Sequence, residues 1–216
     1  YMKKTILFMM VISFLGKITG FIREANMASQ IGANAYTDAY VFATTISSLF
    51  AFIILEGLNS ALIPVLSQAE RKGERDVFFC KILSLSIPVL LGFAVFLYFF
   101  SAKLLYLFAP GISGNIRELT ELYARILAIN VFFIGIQGLL VGYLQKNNRF
   151  LHVSAMAFPL NIAIITGIFL SSPTNILPLV VGTVIGQGLT FIWLLLPTIK
   201  TGFQFEWEID LKDEHL

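Results

Sequence analysis

Six stretches of this chain are long and apolar enough to cross a bilayer, near residues 5–31, 37–69, 82–109, 116–145, 151–171 and 176–199. A hydrocarbon core of about 30 Å calls for about 20 helical residues. Within that core each backbone N–H and C=O must be paired inside its own segment, so apolar stretches of this length have to be helices. The expected fold class is an all-α integral membrane protein, a six-transmembrane-helix bundle over residues 1–200. Composition agrees. Only 13% of the 216 residues are charged and the mean hydropathy is +0.82, where a soluble domain would be about 25% charged.

The connections are short and punctuated. Pro110 and Gly111 stop the third stretch, and Asn115 with Glu118 three residues on reads as a capping box opening the fourth. Ser171, Ser172, Pro173, Thr174 and Asn175 form a turn cluster that makes the last two stretches an antiparallel hairpin. The second stretch would span about 50 Å if straight, so Gly57 and Pro64 are expected to bend it or carry its end into the cytoplasm. Lys3 and Lys4, then Arg71, Lys72, Arg75 and Lys81, then Lys146 and Arg149, then Lys200 and Lys212 fall on one side, against Lys103 and Arg117 on the other. That asymmetry places both termini in the cytoplasm. Residues 201–216 alternate Phe203, Phe205, Trp207, Ile209 and Leu211 with mostly polar residues, the period of an extended interfacial tail.

Several function classes lack a carrier. The basic residues sit in short loops and form no broad face for nucleic acid. Cys80 is a single cysteine, read as a small, partly buried thiol, and His152 and His215 are too isolated to ligate a metal. No nucleophile elbow, phosphate loop or zinc-protease motif is present, so no enzyme, metal or cofactor is expected.

The chemistry-bearing residues are the charges inside apolar stretches, where they cost several kilocalories unless they meet a cavity or a partner. Lys17 and Glu24 are seven residues apart and share a helix face, whereas Arg23 points away by about a third of a turn. Gly16 and Gly20 beside them let another backbone approach. Cations in this segment suit an anionic ligand, phosphate above all; internal ion pairing with Arg23 snorkelling outward is the plainer reading. Asp38 opens the second helix, where either Thr37 or Asp38 is the cap, or Asp38 closes the outer side against Arg23. Glu56 is followed by Gly57, Asn59 and Ser60, as in a polar cavity wall or gate, unless it is simply solvated at the interface. Arg125, Asn130, Gln137, Pro159, Asn161 and Gln187 read as packing and hydrogen-bonding features, with Asn161 expected to serve the carbonyl that Pro159 leaves unpaired. Gly138 with Gly142, and Gly182 with Gly186, are expected to be close-packing pairs.

The order of these motifs resembles the lipid II flippases of the MurJ (MviN) family, in the MOP superfamily that also includes the MATE exporters. The resemblance runs through GKITGFIRE (Gly16 to Glu24), IGANAYTDAYVFA, LEGLNSALIPVLS, APG (Ala109 to Gly111), LQKNNRF (Leu144 to Phe150) and PLNI (Pro159 to Ile162). It implies one lobe, the N-terminal one, of a transporter. That transporter moves an undecaprenyl-pyrophosphate-linked peptidoglycan precursor across the bacterial cytoplasmic membrane by alternating access. Lys17, Arg23 and Glu24 fall on substrate-facing positions, and Asp38 and Glu56 on gating or ion-pair positions. Where the family often carries an Arg pair before the glutamate, this chain has Ala51 and Phe52. The implied partners are the lipid substrate, membrane lipids and a second six-helix lobe, supplied by a longer chain in preference to a homodimer; residues 201–216 would lead to it. Export of other polyprenyl-linked glycans or drugs is the alternative transport reading, and a non-transporting membrane scaffold is the alternative outside transport.

Overall fold

The computed structural model describes the backbone of residues 2–72, 75–203 and 205–207, with side chains for 6–55, 76–203 and 205–207. Eight helices follow one another: α1 (Met2–Gln30), α2 (Ala35–Lys72), α3 (Arg75–Phe108), α4 (Gly114–Leu127), α5 (Asn130–Lys146), α6 (Phe150–Ser154), α7 (Ala157–Phe169) and α8 (Leu177–Ile199). They make six segments long and apolar enough to cross a membrane, because α4 with α5 and α6 with α7 each form one broken span. The expected all-α bundle is therefore the architecture, and no β-strand occurs among the described residues.

Several helix ends differ from the sequence expectation. α3 begins at Arg75 instead of near residue 82. Asp76 favours the positive end of the helix and accepts a hydrogen bond from the Tyr143 hydroxyl at 2.9 Å, while Phe78, Phe79 and Cys80 are buried. α4 opens at Gly114, whose φ of 62° suits glycine. Asn115 therefore lies inside the helix and the expected capping box does not form; Ser113 is the N-cap residue, without a side-chain cap bond. α2 continues as helix past Gly57 and Pro64 to Lys72. The tail is not a strand in its described part. Phe203 is buried against the Phe79 and Tyr143 rings at 5.3 Å from each, whereas Phe205 and Trp207 are exposed; Ile209, Leu211 and His215 lie outside the described residues.

The tightest packing is the α7–α8 hairpin. Its turn is closed by reciprocal backbone bonds between Ser172 and Asn175, at 3.0 and 3.1 Å, and the Ser171 hydroxyl accepts from the Leu179 N–H at 3.1 Å. Missing side chains then set the interhelix distance. A Cβ on Gly167 would lie 2.8 Å from the Pro178 carbonyl oxygen, one on Gly182 3.0 Å from that of Ala163, and one on Gly186 3.0 Å from that of Leu160. Gly182 and Gly186 thus pack closely as expected. Of the other pair Gly138 does, against the Leu55 side chain, while Gly142 is exposed and has nothing within 4 Å among the described residues.

Polar bonds tie the hairpin to the bundle. Tyr40 on α2 meets the Thr183 hydroxyl at 2.9 Å, and Gln137 on α5 donates to the Gln187 carbonyl at 2.8 Å and to its side-chain oxygen at 3.1 Å. Two apolar cores flank these bonds, one around Leu90, Val131 and Leu140 and one around Tyr123, Leu127 and Leu179. α1 stands apart: only 6% of its span is buried.

The backbone atoms facing Gly167 cannot yield as a side chain would, so Gly167→Ala is expected to destabilise the lobe by about 1–3 kcal/mol. Gly142→Ala is expected to be neutral or stabilising by up to about 1 kcal/mol. Thermal melting of both variants in the same detergent checks the contrast.

Candidate functional site

α1 is seated on α7 along the stripe of Gly16 and Gly20. A Cβ added to Gly16 would sit 3.4 Å from the Ala157 Cβ, and one on Gly20 3.7 Å from the Asn161 amide nitrogen, ordinary contact distances, so the seam has room for a methyl group at either position and for little more. Into this seam projects Asn161, which is only 4% exposed. Its Nδ2 donates to the Thr19 hydroxyl at 2.9 Å and to the Gly16 carbonyl at 3.4 Å. Its Oδ1 accepts from Arg23 Nη1 at 3.2 Å. This corrects the expected role for Asn161: the Ala155 carbonyl, one turn before Pro159, already accepts from the Phe158 N–H at 3.1 Å.

Arg23 is shared between two acceptors. Its Nε and Nη2 donate to Glu24 Oε1 at 3.1 and 2.5 Å, while Nη1 takes Asn161. Arg23 and Glu24 are adjacent residues splayed by about 100° on the helix, which suggested separate directions. The long guanidinium arm closes that gap and the two form an ion pair. The arginine side chain is 28% exposed and the glutamate 55%, so the guanidinium is half-embedded in the α1–α7 seam and the carboxylate lies open. Among the described residues no hydrogen bond or ion pair joins Arg23 to Asp38.

Lys17 is exposed and, among the described residues, has no hydrogen bond or ion pair. Its flank of α1 is an open, mostly apolar strip, on which Ile6, Met10, Phe14 and Leu15 are exposed and Ser13 and Lys17 are the polar members among the described residues. α1 therefore offers an exposed apolar strip with an ammonium at one end and an arginine–glutamate pair about 9 Å further along.

The second helix is capped earlier than expected, three residues before Thr37 and four before Asp38. Asn34 Oδ1 accepts the N–H groups of Tyr36 and Thr37 at 2.9 and 3.0 Å, so neither Thr37 nor Asp38 is the cap. Asp38 sits exposed in the first turn, where its charge favours the positive end of α2. The Glu56 side chain lies outside the described residues. At the site of the expected Arg pair, Ala51 is fully buried and Phe52 is 60% exposed. Arg125 pairs with Glu121 one turn away and lies 6.0 Å from the Tyr98 ring centre. Among the described residues no three His, Cys, Asp or Glu side chains gather to hold a metal ion.

The residue that sequence reasoning undervalued is Asn161, together with Thr19. The readable signal was an amide in an apolar helix beside a proline; its partner, 138 positions earlier, was not readable from local spacing.

Residues 27–216 match the family described as lipid II flippase MurJ. The lipid II flippase MurJ of Thermosipho africanus is 28% identical over 197 residues, covering 90% of this chain and 41% of that protein. The probable lipid II flippase MurJ of Buchnera aphidicola subsp. Baizongia pistaciae is 30% identical over 169 residues, 75% of this chain and 33% of that protein. A solved structure of a lipid II flippase MurJ in an inward closed conformation superposes with a TM-score of 0.77 at 27% identity, covering 94% of this chain and 44% of the other. The chain thus spans less than half the length of these relatives. With most of its length matched by the family and its six spans superposing on a solved member, the chain belongs to the lipid II flippase MurJ family.

Proposed function

We infer that this chain forms one lobe of a lipid flippase for an undecaprenyl-pyrophosphate-linked peptidoglycan precursor, in the bacterial cytoplasmic membrane with both termini cytoplasmic. The observation that carries this reading is a guanidinium half-embedded at the α1–α7 seam, beside a helix face that the rest of the lobe leaves bare. A membrane protein keeps ionisable groups there only for a cavity, a partner or a ligand.

The chemistry follows from the substrate class. A pyrophosphate headgroup is expensive to move through hydrocarbon unless cations replace its water. Arg23 supplies a planar donor fork suited to phosphate oxygens, and Lys17 a compact charge on the same helix. Glu24 neutralises Arg23 when the site is empty and must yield as the phosphate arrives, so the anion displaces an existing partner and meets no bare cation. The exposed apolar strip beside Lys17 suits contact with the polyprenyl chain next to its charged head. Asp38 at the outer end of α2 and Glu56 towards the inner end are assigned to gates.

Alternating access needs two bundles moving against each other around a central site. The exposed face of α1 is therefore the wall towards a second six-helix lobe, drawn from the same polypeptide in preference to a second copy. Residues 201–216 are assigned as the connection to it, and the docking of Phe203 on Phe79 and Tyr143 supports a fixed point of departure.

Arg23→Ala in the full-length protein is expected to abolish rescue of a flippase-depleted strain at normal expression; growth equal to wild type would sink the assignment. A cysteine placed at Lys17 is expected to react with a charged, membrane-impermeant thiol reagent and to be protected by undecaprenyl pyrophosphate. Cys80, 3% exposed, should stay unreacted. A Lys17→Cys site inert to the reagent would mean that this face meets lipid.

A further inference from the structure

The bonds of the α1–α7 seam fix the orientation of the Asn161 carboxamide. The Thr19 hydroxyl spends its single hydrogen on the Gly16 carbonyl, at 2.8 Å, so its oxygen can only accept from Asn161. The end of Asn161 facing Thr19 and Gly16 is therefore the nitrogen, and the oxygen is left towards Arg23. A buried amide bonded at both ends cannot turn without orphaning a polar group.

The two acceptors of Arg23 differ in kind. Glu24 is open and charged, so an incoming anion can displace it. Asn161 is buried and neutral, so it stays, and it orients the guanidinium without cancelling its charge. Of the five N–H groups of an arginine, Nε, one on Nη2 and one on Nη1 are engaged. Two remain, one on each terminal nitrogen. We propose that Asn161 is a positioning residue, the fixed point that keeps the Arg23 guanidinium aimed at the pyrophosphate while Glu24 gives way. This rests on the lipid-pyrophosphate reading of the same site.

The test is a double-mutant cycle of Asn161→Ala and Arg23→Ala in the full-length protein, reading affinity for undecaprenyl pyrophosphate, with thermal melting alongside. A hydrogen bond to a charged group corresponds to a loss of about tenfold or more. Asn161→Ala is therefore expected to weaken binding about tenfold in the wild-type background and to add nothing once Arg23 is gone. An undiminished affinity in Asn161→Ala overturns the proposal, and so does an equal loss in both backgrounds, which marks a purely structural seam. Asn161→Asp preserves size should the alanine variant not fold. Its carboxylate would cancel Arg23, and binding is expected to fall at least as far; wild-type binding overturns the proposal. The reading of the site fails separately, and the proposal with it, if wild type does not bind the lipid or if Arg23→Ala binds it as well as wild type.

Discussion

A guanidinium within a bilayer-spanning helix needs acceptors that lipid cannot provide, and in this lobe the adjacent Glu24 carboxylate supplies one and a buried amide on the neighbouring helix the other. The Arg23–Asn161 bond of 3.2 Å crosses the one seam along which α1 is attached closely to α7. Its geometry depends on what is absent from α1. Side chains larger than alanine at positions 16 and 20 would hold the helices apart, and the amide would no longer reach both Thr19 and Arg23. The same economy of contact leaves the rest of α1 uncovered, including Lys17 and Glu24.

A fixed acceptor requires a rigid support, and the α7–α8 hairpin provides it. Gly167, Gly182 and Gly186 bring the two backbones to van der Waals limits, so the hairpin packs by shape in an environment where apolar surface gains little from hiding among lipid tails. Tyr40–Thr183 and the Gln137–Gln187 pair then join it to α2 and α5. Such bonds are directional, and each polar group is matched across a helix interface. The result is a firm platform carrying one loosely covered helix, a division that suits the wall proposed above.

The six spans were legible in the sequence because bilayer thickness translates directly into apolar length. The hairpin was legible too, through its turn cluster and glycines. The breaks at residues 128–129 and 155–156 were not: both fall in apolar sequence without glycine, and Pro159 marks the second only from three residues inside α7. The charged residues of α1 were visible as an anomaly, but their pairing was misjudged because angular spacing describes Cβ directions and ignores the reach of an arginine. The start of α2 was misplaced for a similar reason. Asn34 and Asp38 are both plausible caps by type, and only the path of the preceding loop puts Asn34 Oδ1 against two free N–H groups. Asn161 was read as a local device for its proline; its actual partners lie on α1, a relation that exists only in three dimensions.

The most direct measurement is a structure of the full-length protein bound to undecaprenyl pyrophosphate in a lipid nanodisc. We expect the pyrophosphate within hydrogen-bonding distance of the Arg23 guanidinium and near Lys17, with Glu24 released from Arg23 and Asn161 still in place. A pyrophosphate bound away from α1, with the Arg23–Glu24 pair intact, would contradict the assignment of this helix as the anion-facing wall.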